Sequence, residues 1–182
     1  GAYLSFATTQ NLTLYASVAR ASKLGGFNVF ALTGVIADDE RSFDAEHSTN
    51  LELGAKWSLL DGRALAQWSV FDIAWQDQIV RAIGTQGALI NVNAGASHSQ
   101  GMEAALQINN GRGTDASLSL SYVDAAFDDY QLLILQQIGL SPDLSGTALQ
   151  YSPRWSAQVS LGHEFAITAT TQAYARLNGL YR

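Results

Sequence analysis

The chain has 182 residues, of which 47% are hydrophobic and only 14% are charged, with a formal net charge of -6. It contains no cysteine, which excludes disulfides, thiolate metal sites and a cysteine nucleophile. The acidic balance argues against nucleic acid as a partner, because a nucleic-acid surface needs clustered basic residues. No apolar run approaches the about 20 residues of a membrane helix, and no signal peptide opens the chain. We therefore expect either a single domain whose N-terminus was removed or a piece of a longer protein.

Apolar and polar residues alternate strictly in segment after segment, most clearly at 114–122. There, Ala116, Leu118 and Leu120 share one parity, and serines hold the other. Successive side chains of a strand point to opposite faces, so each such segment predicts a strand with one apolar and one polar face. Eight segments follow this pattern, at roughly 2–7, 11–20, 49–58, 63–77, 98–108, 114–122, 154–165 and 169–182.

The segment at 63–77 changes parity part-way along. Trp68 and Val70 share one parity, whereas Phe71, Ile73 and Trp75 share the other. One extra residue in a strand reverses the facing of everything after it, so we predict a β-bulge near Val70.

Short and long connections alternate between the predicted strands. The short ones lie at 8–10, 60–62, 109–113 and 166–168, and the long ones lie at about 21–48, 78–97 and 124–153. In an antiparallel meander, all short turns then lie at one end and all long loops at the other. This arrangement is typical of an outer-membrane barrel, with tight periplasmic turns and long extracellular loops.

A soluble β-sandwich also alternates, but three features favour a barrel. The strands reach the about ten residues needed to cross a bilayer at a tilt, and aromatic residues such as Trp57 and Trp155 lie near strand ends, where an interfacial girdle would sit. The charged residues of the strands take the polar parity, at Glu52, Lys56, Glu103, Arg154, Glu164 and Arg176. We predict an all-β fold, an antiparallel up-and-down transmembrane β-barrel segment of about eight strands. A sandwich would instead place Leu53, Leu118 and Leu161 in one dry interior.

Several short motifs resemble those of one family, the TonB-dependent outer-membrane receptors, in the C-terminal part of their barrel. Leu14 to Ser17, Arg20 and Ser22 to Asn28 resemble "LYASYSRGYKSGGFN". The other matches are Glu46 with Asn50 to Lys56 for "PE…NYELGLK", the turn Asp61-Gly62-Arg63, Phe71 with Asp77 to Val80, Ser99 to Glu103 for "SQGVE", Tyr122 to Phe127 with Asp129-Tyr130 for "YLDAxFxDY", and Tyr151 to Arg154 for "YAPRH". They occur in the family's order over nearly the whole chain.

This resemblance implies that residues 1–182 are part of a barrel of about 22 strands, without the plug domain and the remaining strands. It implies a receptor in the bacterial outer membrane for TonB-energised uptake of a scarce solute, for which we expect a ferric siderophore. The implied partners are outer-membrane lipid, the TonB complex acting through the plug, and the small-molecule solute. The alternative is a self-contained eight-stranded barrel with a structural or adhesive role, in which the first and last strands pair. An outer-membrane hydrolase is a third possibility, but it requires a Ser/His/acid group on one face.

The sequence nominates no catalytic residue, metal site or cofactor. The histidines His47, His98 and His163 are far apart and have no partner at metal-ligand spacing. We therefore expect that the protein is not an enzyme.

Two sets of residues are candidates for binding. Residues on the polar parity would face the lumen and the plug, where charge-assisted hydrogen bonds form: Glu52, Lys56, Glu103, Arg154 and Arg176. Aromatic and basic residues of the long loops would suit an anionic, planar ferric chelate: Phe27, Phe30, Arg41, Phe43, Arg81 and Tyr130.

Overall fold

A computed structural model of the chain describes residues 1–29, 34, 36–93, 95–131, 135 and 139–182. Within these residues the strands are β1 (Ala2–Ala7), β2 (Leu12–Lys23), β3 (Gly26–Phe27), β4 (Ser42–Phe43), β5 (Glu46–Leu59), β6 (Ala64–Gln76), β7 (Ile79–Ile83), β8 (Leu89–Asn93), β9 (Ala96–Asn109), β10 (Thr114–Asp129), β11 (Trp155–Ala166) and β12 (Gln172–Tyr181). A short 3₁₀ helix, Asp38–Glu40, lies between β3 and β4.

One antiparallel sheet contains eight strands in the order β1-β2-β5-β6-β9-β10-β11-β12, so each strand pairs with the next in the meander. The tight turns between neighbouring strands all lie at one end of the sheet, called here the short-turn end. The opposite, long-loop end carries loop 1 (residues 24–45), loop 2 (77–95) and loop 3 (130–154). The predicted meander of eight strands is confirmed. The hairpins β3–β4 in loop 1 and β7–β8 in loop 2 were not predicted, because strands of two to five residues show too little alternation.

The first and last strands of the sheet do not pair with each other. β1 pairs only with β2 and β12 only with β11, and every residue of these four strands is described. The hypothesis of a self-contained eight-stranded barrel is therefore wrong, since it requires closure between β1 and β12.

The apolar face of the sheet is exposed along its whole width. Leu53, Leu118 and Leu161 remain 57%, 41% and 50% exposed, so no second sheet covers them and the sandwich alternative is wrong. Aromatic rings lie at both ends of this face, with Trp57 and Phe165 near the short turns and Trp155 and Tyr181 toward the long loops. Such a face needs a hydrocarbon environment between two interfacial girdles.

The apolar band ends along a definite line at the long-loop end. Leu51 is the last apolar residue of β5, whereas its cross-strand partner in β6 is already Asp72. Gln100 and Asp124 continue the polar line on β9 and β10, and Arg20 lies beyond Val18 on β2. These polar residues share the parity of the apolar face, so segregation of charge by parity holds only within the band.

The predicted β-bulge near Val70 is wrong. Val70 pairs with Leu53 and Phe71 with Glu52 without any shift of register, and β9 continues the same register on the other side. Phe71, Ile73 and Trp75 therefore lie on the polar face. The parity of the apolar residues changes because the outer face of β6 becomes polar from Asp72 onward, beyond the apolar band. The register shift that the ladder does contain lies between Phe127 and Asp129.

We expect an arginine to be costly on the apolar face and tolerated on the polar face. Leu118→Arg should lower the free energy of unfolding by about 2–4 kcal/mol, the cost of a basic side chain at mid-depth in lipid. Ser119→Arg, one residue along the same strand, serves as the matched control and should cost much less, because Ser119 lines the polar groove. Urea titration of the protein folded in lipid vesicles measures both. Equal losses would contradict the assignment of the faces.

Candidate functional site

The polar face of the sheet is concave and forms an open groove with a volume of about 480 Å³. Side chains from strands near both edges of the sheet reach it, because the sheet curls toward this face. The polar residues that line it are Tyr15, Glu52, Lys56, Gln67, Ser69, Glu103, Ser119, Ser121, Ser156, Gln158 and Arg182. The groove is open and lined mainly by polar side chains, as expected for the lumen side of a barrel and not for a packed core.

Tyr15 is the centre of a polar cluster on this wall. Its hydroxyl donates a hydrogen bond to Glu52 Oε1 at 2.6 Å, and Lys56 Nζ lies 5.5 Å from the centre of its ring. The Tyr3 ring stacks against it with centroids 5.9 Å apart. Gly54, directly opposite in register, makes this possible because a Cβ there would overlap the Tyr15 ring. Such a glycine covered by a cross-strand aromatic helps a sheet curve into a barrel.

A second cluster lies toward the short-turn end of the same face. Arg176 donates from Nη2 to Asp115 Oδ2 at 2.9 Å, and its Nε donates to the Tyr174 hydroxyl at 2.7 Å. The Tyr174 hydroxyl in turn donates to Asp115 Oδ1 at 3.0 Å. Arg176 is therefore neutralised within the wall.

The remaining residues predicted to face the lumen divide into two groups. Glu52, Lys56 and Glu103 line the groove. Arg154 does not join them, because it precedes β11 and its Nη2 lies 3.5 Å from Asp124 Oδ1. Asp124 shares the outward parity of Gln100 and Asp72 beyond the apolar band, so this ion pair lies on the outer face of the sheet.

The predicted loop residues have different surroundings. Phe27 is 81% exposed, and Arg81 is exposed on β7. The Arg41 guanidinium pairs with Asp38 Oδ1 at 2.7 Å. Two rings pack against other residues of the chain, since Phe43 lies against Gly26 and Tyr130 stacks on Phe127 of β10 with ring centroids 4.5 Å apart. Phe30 lies outside the described residues.

Buried polar side chains tie loops 1 and 2 together, which the alternation of the sequence did not predict. Asn28, 5% exposed, and Glu46, 8% exposed, are the principal ties. Glu46 accepts the Ile79 N–H at 2.9 Å, and the Asn93 side chain donates to the carbonyl oxygen of Asp44 at 3.0 Å. Asn28 and Glu46 both belong to the family-like motifs, but the sequence suggested no partner in another loop.

Glu40 provides a further tie between the same loops. Its carboxylate accepts hydrogen bonds from the N–H groups of Thr85, at 2.7 Å, and Ala37, at 3.2 Å. The bond from Thr85 is the main reason that the pKa of the Glu40 carboxyl lies below its usual value. The ionised carboxylate is thus the form that joins the loops.

Among the described residues, no three His, Asp or Glu side chains come close enough together to hold a metal ion. No helix in that part of the chain is long and apolar enough to span a membrane. The described residues thus form a charged, concave face and, above it, loops joined by polar side chains.

The family model "TonB dependent receptor-like, beta-barrel" matches residues 1–181. The chain belongs to the TonB-dependent receptor β-barrel family. Members of this family are transport receptors of the bacterial outer membrane, and that membrane is where this chain resides. Its short turns therefore face the periplasm and its long loops face the exterior.

Solved structures with the same fold include siderophore receptors. The ferric yersiniabactin uptake receptor FyuA of Yersinia pestis is 19% identical, with a TM-score of 0.69 over 97% of this chain and 24% of that one. The siderophore receptor PiuA of Acinetobacter baumannii is 21% identical, with a TM-score of 0.67 over 88% of this chain and 23% of that one. The ferric-catecholate import receptor Fiu of E. coli is 17% identical, with a TM-score of 0.63 over 97% of this chain and 23% of that one. The chain thus spans about a quarter of the length of these structures.

We expect Gly54→Ala to destabilise the wall by about 1–3 kcal/mol, the usual cost of overpacking. The new Cβ must displace the Tyr15 ring and break its bond to Glu52. In a Tyr15→Ala background the same change should cost far less, since the overlap is gone. Urea unfolding of the four proteins in a double-mutant cycle measures this coupling, and additive losses would contradict the packing described here.

We expect the Glu40 tie to weaken in acid. Because its folded-state pKa is lowered, its contribution is present above the ordinary carboxyl pKa and is lost as the pH falls through the lowered value. Hydrogen exchange at the Thr85 amide, corrected for intrinsic rates, should therefore lose protection in acid. In Glu40→Gln the protection should be lower at neutral pH and nearly independent of pH. Asp39→Asn, on the neighbouring carboxylate, is the control and should behave like the unaltered protein.

Proposed function

We propose that the chain forms part of an outer-membrane receptor that binds a ferric siderophore outside the cell and admits it to the periplasm. The main support is the curled polar wall, which has a lumen side and a lipid side, together with loops that project outward. The similar structures named above are a ferric yersiniabactin uptake receptor, a ferric-catecholate import receptor and a siderophore receptor. The energy would come from the TonB complex acting on a plug domain inside the complete barrel.

The polar wall would contact that plug. Glu52, Lys56 and Glu103 are suited to this role because they line the concave groove, where charged side chains make strong hydrogen bonds to a protein surface. Arg176 would contribute less, because Asp115 already neutralises its charge. Arg154 would not contact the plug, because it pairs with Asp124 on the outer face of the sheet.

The loops would recognise the cargo without any covalent step. Phe27 offers an exposed aromatic surface, and Arg81 offers an exposed side chain on the β7–β8 hairpin. Arginine and aromatic side chains suit a planar, anionic chelate. Arg41, Phe43, Tyr130 and Phe30 would add contacts around them. The protein would act as a transporter and not as an enzyme.

Uptake of radioactive iron tests the proposal in the bacterium that carries the gene. Cells with and without the gene would be supplied with ferric yersiniabactin, a ferric catecholate and ferripyoverdine in turn. We expect deletion to abolish uptake of at least one chelate, and a protonophore to do the same in the unaltered strain. Unchanged uptake of every ferric chelate after deletion would overturn the siderophore proposal.

Arg81→Gln should weaken binding of the transported chelate by about tenfold, because it removes one charge-assisted contact. Arg112→Gln, in the periplasmic turn at the opposite end of the sheet, is the matched control and should leave binding unchanged. Titration of the chelate against receptor in outer-membrane vesicles measures both dissociation constants. Equal effects of the two changes would remove Arg81 from the cargo site.

A further inference from the structure

Loops 1 and 2 are joined at successive levels along the β7–β8 hairpin. At its base, Glu46 Oε2 accepts the Ile79 N–H. Higher up, Asn28 binds Asn91, the cross-strand partner of Arg81. Near its tip, Glu40 accepts the Thr85 N–H. In each case a side chain of loop 1 or of its boundary satisfies a main-chain group of loop 2.

Asn28 is the central tie, and its whole amide group is used. Its Nδ2 donates to the carbonyl oxygens of Glu40 and Asn91, both at 2.8 Å. Its Oδ1 accepts the Asn91 N–H at 2.8 Å. The side chain is buried, so neither loop group has water as an easy substitute when Asn28 is removed.

The bond to Asn91 acts like an additional rung on the free edge of β8. In an antiparallel ladder, the N–H and C=O of one residue point to the same side. Since both groups of Asn91 point to Asn28, they point away from β7. The neighbouring residues Ile90 and Val92 therefore turn their own N–H groups toward β7.

Three of the residues proposed to contact the cargo lie next to Asn28 or to a residue that it binds. Phe27 is its neighbour in the chain, and the Asn28 N–H donates to the Arg41 carbonyl oxygen at 2.9 Å. Arg81 lies opposite Asn91 in the β7–β8 ladder. The Asn28 side chain thus holds the backbone at Glu40, next to Arg41, and at Asn91, opposite Arg81, while its own main-chain N–H binds Arg41 directly.

We propose that Asn28 is a positioning residue that locks loops 1 and 2 into one recognition surface, on which Phe27, Arg41 and Arg81 contact the cargo together. The part that concerns cargo rests on the proposed function, whereas the lock between the loops does not. Asn28 itself is buried and acts through the residues that it positions.

Hydrogen exchange tests the lock in the protein in outer-membrane vesicles, without any cargo. Asn28→Ala should raise exchange at Ile90 and Val92 by about tenfold, although their N–H groups do not bond to Asn28, because the hairpin loses its second edge. Asn28→Asp, which keeps the size but loses the Nδ2 donors, should do the same. Asn110→Ala is the matched control, since Asn110 Oδ1 also accepts two main-chain N–H groups, those of Arg112 and Thr114, but in a periplasmic turn. Faster exchange confined to Asn91 and loop 1 would overturn the lock.

A double-mutant cycle on chelate binding tests the joint surface. Asn28→Ala and Arg81→Gln should each weaken binding by about tenfold, whereas the double variant should lose clearly less than the product of the two. A purely structural role of Asn28 predicts multiplication of the two losses and would overturn the joint surface. If no ferric chelate binds the unaltered protein, the proposed cargo class fails, while the exchange result still decides the lock.

Discussion

The structure depends on one constraint, which is that every backbone N–H and C=O inside hydrocarbon must find a partner within the protein. The antiparallel meander provides those partners between neighbouring strands and leaves the side chains to meet two different surroundings. Leu53, Leu118 and Leu161 face lipid because nothing in the sheet covers them. Glu52, one residue before Leu53, faces the groove on the other side. The strict alternation of the sequence thus results from a wall that consists of a single β-sheet, with lipid on one side and the groove on the other.

Outside the hydrocarbon layer the outer face no longer needs to be apolar. The side chains on that face change from apolar to polar there, while the backbone pairing stays the same. From Asp72 upward, polar side chains occupy the outer face and Phe71, Ile73 and Trp75 occupy the inner one, although the pairing of β6 continues unbroken. Barrel strands are tilted, so a boundary at constant height falls on different rungs of different strands. The pairing of Leu51 with Asp72 marks one such step.

Beyond the membrane the loops cannot rely on lipid to confine them, and buried polar ties take over. Asn28 and Glu46 are among the few strongly buried polar side chains in the described part of the chain. Asn28 connects loop 1 to loop 2, and Glu46, the first residue of β5 after loop 1, binds Ile79 in loop 2. Both also lie in motifs that the chain shares in outline with its family. Gly25 fits the same explanation, because a Cβ there would overlap the backbone at Phe43 and Asp44. These motif residues therefore stabilise the conformation of the loops and do not themselves offer groups to a cargo.

The sequence by itself determined the eight long strands, their two faces and the alternation of short turns with long loops, because a period of two is a local property of each strand. It also put Glu52, Lys56 and Glu103 on the polar parity, and these three residues line the groove. Only the tertiary structure decided that Val70 carries no bulge, that Arg154 pairs outside the wall with Asp124, and that Asn28 reaches Asn91. These features depend on the surroundings of a side chain or on a residue distant in sequence. Such long-range contacts produce no periodic pattern along the chain, so the sequence alone does not predict them.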